Sequence, residues 1–190
     1  LEFHNLLLDK ADVSVNAYNN AKSLWIVSPG RSTNQDDPAS IIAYVNGNFT
    51  VDKFRNTLQL GNYRLSLKGN VSVVAGRQHR IEQSGTSRIL INGTVSQQLS
   101  LGGLARSNSF ILNNSTGAIL QDNARMGNLN MIAGSLSIAN HQLTVNNPIE
   151  GAPFSATKMI VTSGTASSGG LRFLFRNRTF NNDSQVIYPL

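Results

Sequence analysis

Fifteen consecutive residues, Thr57 to Val71 (TLQLGNYRLSLKGNV), reappear without a gap as Ser135 to Ile149 (SLSIANHQLTVNNPI). Every apolar residue meets another: Leu58 with Leu136, Leu60 with Ile138, Leu65 with Leu143, Leu67 with Val145, Val71 with Ile149. Asn62 meets Asn140 at the turn between two short apolar runs. A chain that repeats itself this way is built by stacking similar β units, not by folding around one irregular centre. Stacked units carry function on long faces and loops.

The remainder of the sequence has the same grain. Short runs bounded by Gly, Asn or Ser follow one another, for example Leu6–Leu8, Phe49–Val51, Val71–Val74, Arg88–Ile91, Phe110–Leu112 and Met159–Val161. Each is three to five residues long, and none shows the 3.6-residue apolar period of a helix. Strands so short bury little alone and need neighbours above and below. An all-β solenoid supplies them, whereas a β-sandwich, the alternative, favours fewer strands of about five or six residues.

Composition supports the solenoid. Only 14% of the 190 residues are charged, so the polar surface must come from uncharged groups, and Asn outnumbers even the 16 Gly. Both residues tolerate tight turns, and Asn side chains in register can bond from coil to coil. There is no Cys, so burial must do the work that disulfides do in many small exported proteins. No apolar run approaches the roughly 20 residues of a membrane-spanning helix. Leu1 opens within a strand-like run, which points to a piece of a longer protein.

Two registers divide the chain. Asn5–Lys10 resembles Ser109–Asn114 at an offset of 104, against 78 for the fifteen-residue match. This predicts a single solenoid segment of two related units, about 1–107 and 108–190, with a loop insertion at 16–44 holding Ser28-Pro29-Gly30 and Asp36-Asp37-Pro38.

Chemistry is sparse. The ten acids are dispersed, and only Asp36 and Asp37 adjoin, whereas glycoside hydrolysis needs two carboxylates across a cleft. His4, His79 and His141 stand far apart without metal-ligand spacing. No catalytic residue, metal site or cofactor is therefore expected. The net charge of +6 comes from scattered basic residues without a nucleic-acid-binding motif, so nucleic acid is not an expected partner. The candidate ligand residues are Arg172, Arg176 and Arg178 in LRFLFRNR, where alternation sets arginines opposite Leu171, Phe173 and Phe175. Such a strip suits an anionic glycan or surface polysaccharide.

The runs Val45–Val51 (VNGNFTV) and Leu58–Val71 (LQLGNYRLSLKGNV) resemble β-rich repeats in large surface proteins of Bacteroidota. Those are cargo of type IX secretion, including gliding-motility adhesins. Ile91–Ser100 (INGTVSQQLS) is similar to their linker between units. Lys158–Gly164, Gly169–Arg172 and Tyr188-Pro189 resemble the segment that closes such blocks. The resemblance implies a right-handed parallel β-helix, secretion to the bacterial cell surface, and a non-catalytic adhesive or stalk role. Its implied partners are neighbouring repeats of the same protein and, during export, the secretion machinery. The alternatives are a carbohydrate-binding module and a β-helix enzyme acting on polysaccharide.

Overall fold

The computed structural model describes residues 2–3, 6–8, 23–25, 42–51, 57–60, 64–73, 80–83, 87–102, 104, 108–164 and 169–174. They form a parallel β-helix without a helix. In chain order the strands are β1 (Glu2–Phe3), β2 (Leu6–Leu8), β3 (Ser23–Trp25), β4 (Ile42–Val45), β5 (Phe49–Val51) and β6 (Thr57–Gln59). Next come β7 (Arg64–Leu67), β8 (Val71–Val73), β9 (Arg80–Glu82), β10 (Arg88–Ile91), β11 (Gln97–Ser100) and β12 (Asn108–Asn113). The last are β13 (Ala118–Leu120), β14 (Ala124–Ala133), β15 (Leu136–Ala139), β16 (Gln142–Val145), β17 (Ile160–Thr162) and β18 (Gly170–Phe173).

Three sheets run along the stack. Sheet A has eight strands in the order β1-β4-β7-β10-β12-β14-β16-β18, and sheet B has seven, β17-β15-β13-β11-β8-β5-β2. The third, sheet C, holds only β3-β6-β9. Every pairing between named strands is parallel. Parallel neighbours need a crossover between them, and here each crossover is the rest of one coil.

Register stacks the core into columns. Val45, Leu67, Ile91, Leu112 and Met131 lie one above another in sheet A, all at most 2% exposed. Phe49, Val71, Leu99 and Leu120 do the same in sheet B. The Phe–x–Val, Val–x–Val and Arg–Ile–Leu–Ile runs put alternate residues inside because side chains in a strand point to opposite faces.

The corner from sheet A to sheet B explains the Asn-Gly motifs. A Cβ on Gly69 would run into the backbone carbonyl of Gly47 one coil below, so Asn46-Gly47-Asn48 and Lys68-Gly69-Asn70 can stack only as glycine corners. The flanking asparagines bond between coils: Asn70 N–H donates to Asn48 Oδ1 (3.0 Å), and Gln98 N–H to Asn70 Oδ1 (2.9 Å). Farther on, Gln97 and Asn114 are fully buried. Gln97 Oε1 accepts from Gly93 N–H and Asn114 Nδ2, while its Nε2 donates to the carbonyls of Leu67 and Gly69. Those backbone groups would otherwise be buried without partners.

The fifteen-residue repeat matches one corner of the stack, not one coil. Arg64–Leu67 and Gln142–Val145 are both sheet A strands with buried Leu65, Leu67, Leu143 and Val145. Before that corner, however, Leu58 belongs to sheet C and Leu136 to sheet B. The triplets Leu6–Leu8 and Phe110–Leu112 also lie in different sheets, B and A. Coil length is read directly from pairing: Glu2 faces Tyr44, 42 residues on, whereas Ile42 faces Arg64, 22 residues on. Within 16–44, Ser23–Trp25 forms β3 and Ile42–Tyr44 enters β4; the other residues of that stretch lie outside the described ones.

Candidate functional site

The outer face of sheet A gathers the chain's basic groups. In β7, Leu65 and Leu67 enter the core, so Arg64 and Ser66 face away from it. In β10, Ile89 and Ile91 are buried, and Arg88 and Leu90 take the outer positions. Register then places Arg64 directly against Arg88, and Tyr44, Ser66, Leu90 and Ile111 in a parallel column beside them.

Ser66 is fully buried although it points outward; its hydroxyl donates to Asn92 Oδ1 at 2.9 Å. Lys68 sets its ammonium 5.3 Å from the centroid of the Tyr44 ring, within the range of a cation–π contact. Arg88 Nη1 donates to the carbonyl of Ser87 at 2.7 Å. Arg64 Nε is buried and has no hydrogen-bond partner. Like charges directly opposed on adjacent strands are destabilising, and a buried guanidinium nitrogen without an acceptor adds to that cost.

A second basic column stands at the C-terminal end of the same sheet. Arg125 pairs with Thr144, and Thr144 with Arg172, so the two arginines flank a threonine two strand spacings apart, about 10 Å. Both are exposed, and the Arg125 guanidinium lies 3.4 Å from Asn146 Oδ1. Leu171 and Phe173 pack on the core from the opposite side of β18. Arg172 thus stands where alternation puts it. Arg176 and Arg178 lie outside the described residues, as do Asp36 and Asp37.

Between the two columns the face is amide-rich. Asn147 Nδ2 donates to Asn128 Oδ1 (2.7 Å), Asn128 Nδ2 to Ser109 Oγ (2.8 Å), and Gln83 Nε2 to the Ser109 carbonyl (3.0 Å). This ladder ties four coils together without charge. Asp122 spends both carboxylate oxygens on the backbone N–H groups of Leu101 and Gly102, at 2.8 and 3.0 Å. Among the described residues, no three His, Cys, Asp or Glu come together as metal ligands would.

The Arg64–Arg88 stack escapes sequence reading because adjacency needs the coil register, here 24 residues. One signal was present: both arginines open an alternating run, RLSL and RILI. Arg125 was hidden by the weak pattern of Ala124–Gly127, which does not announce the first half of β14.

No protein-family model, no curated protein and no solved structure matches the chain.

Proposed function

We propose that this chain is a non-catalytic, structural and adhesive β-helix segment of a secreted bacterial cell-surface protein. The observation that carries the reading is the unbroken parallel stack, tied from coil to coil by neutral amides and presenting its basic groups on an outer face. Solenoids of this build act through extended surfaces. The resemblance of VNGNFTV and LQLGNYRLSLKGNV to Bacteroidota surface repeats supports type IX secretion, neighbouring repeats as structural partners, and a place in an adhesin or stalk. Membrane insertion by a helix is not part of the reading, since no described helix is long and apolar enough to cross a membrane.

The test is deletion of this segment from the parent protein in the organism that makes it. Antibody against the segment should label intact cells before deletion, and attachment to polysaccharide-coated surfaces should fall after it. Labelling only after lysis, or unchanged attachment, contradicts the reading.

A second reading, a carbohydrate-binding module, is favoured by the Arg125–Thr144–Arg172 column. Two exposed guanidiniums about 10 Å apart can engage separate acidic groups on one anionic glycan. Loss of glycan retention on Arg172→Gln supports it; retention equal to wild type contradicts it.

A further inference from the structure

We infer that the Arg64–Arg88 stack, with Lys68 beside it, is a separate binding site for a carboxylate-bearing sugar chain, a uronic-acid oligosaccharide. The inference does not depend on Arg172 or on where the protein resides.

Three observations carry it. Arg64 and Arg88 occupy opposed positions on adjacent strands, about 4.8 Å apart along the stack. Two cations held that close repel one another unless an anion lies between or over them. Arg64 Nε is buried without an acceptor, an arrangement that leaves a preformed donor for a ligand oxygen. Lys68, held by the Tyr44 ring, adds a third positive charge at the edge of the same face.

The surroundings choose among anions. A guanidinium presents parallel N–H groups that match a planar carboxylate in a bidentate pair. Next to the arginines run Ser66, Leu90 and Ile111, the last two half-buried, which suits the C–H faces of sugar rings. A strand of sugars laid along the solenoid axis meets one guanidinium per coil. Single-stranded nucleic acid wants aromatic rings on which bases can stack. On this part of the face the described ring is Tyr44, and Lys68 already covers it.

The experiment is titration calorimetry of the whole chain with an oligogalacturonate, its fully methyl-esterified form and an oligothymidylate. The acid form should bind, and the neutral ester should bind at least about tenfold more weakly, the loss expected from a charge-assisted pair. Arg64→Gln and Arg88→Gln should each weaken binding about tenfold, with unchanged circular dichroism. Arg64→Lys keeps the charge but removes the fork, and should lose most of the same affinity. Equal binding of acid and ester overturns the inference, an arm that requires no variant to fold. Tighter binding of oligothymidylate also overturns it. Full affinity in Arg64→Gln with loss in Arg172→Gln overturns it too, and assigns the glycan to the other column.

Discussion

The N-terminal and C-terminal coils solve the same closure problem differently. Coils such as β4-β5-β6 and β7-β8-β9 carry three strands, and their sheet A partners are 22 to 24 residues apart, as in Ile42 with Arg64 and Arg64 with Arg88. Past β9 the third sheet is gone. Phe110 then faces Leu129 after 19 residues, and Ala118 faces Leu136 after 18. A two-strand coil must reverse more sharply with fewer residues. Accordingly, every positive-φ position among the described residues falls between 117 and 170: Gly117, Gly134, Ala139, Gly151, Gly169 and Gly170. The three-strand coils close instead with stacked Asn-Gly corners. The lesson is that the basic face sits on the roomier coils, where the backbone is least committed to turning.

The largest expected effect tests whether both regions form one body. Phe49 in β5 and Phe110 in β12 are 0 and 2% exposed, one in each region. Replacing either with Ala should cost about 3–5 kcal/mol. Because sheet A passes without a break from β10 to β12, both variants should lower one common thermal transition. Two transitions, each sensitive to only one variant, would separate the regions.

Next comes the tight turn. Gly134 sits at φ +83°, and a Cβ there would run into the Asn114 carbonyl. Gly134→Ala should cost about 3 kcal/mol by denaturant unfolding; a neutral result would mean that two-strand coils do not rely on left-handed backbone. Gln97 stands at the junction of the regions, with four hydrogen bonds to buried groups. Gln97→Ala should cost about 2 kcal/mol, since backbone carbonyls and an N–H lose their partner.

The smallest effect has the opposite sign. Ala139 holds φ at 49°, and its counterpart in the fifteen-residue match is Gly61. Ala139→Gly should therefore stabilise by up to about 1 kcal/mol, relief of left-handed strain exceeding the added chain entropy. A loss of stability would show that this turn bears no strain.

The strands themselves were largely legible. Leu6–Leu8, Phe49–Val51 and Arg88–Ile91 appear with the ends that alternation gives them. β9 was missed because Arg80-Ile81-Glu82 has one apolar residue between two charges, and β13 because Ala118-Ile119-Leu120 is too short to alternate visibly. The coil register was not legible. Leu58 and Leu136 carry the same pattern in different sheets because any strand-turn-strand corner needs the same inward pair, whichever sheets it joins. Without register, Arg64 and Arg88 are two scattered bases; with it they are neighbours. Arg172 was legible because alternation within a single strand was enough to place it.

The central claim is that this scaffold binds sugar chains on its outer face and leaves them intact. The direct measurement is to pass polygalacturonate over the immobilised chain and record both the fraction retained and the chain length of what elutes. The account predicts retention that falls with salt and an unchanged length distribution. Shortened chains would contradict it by revealing an enzyme, and absence of retention would contradict it by removing the ligand.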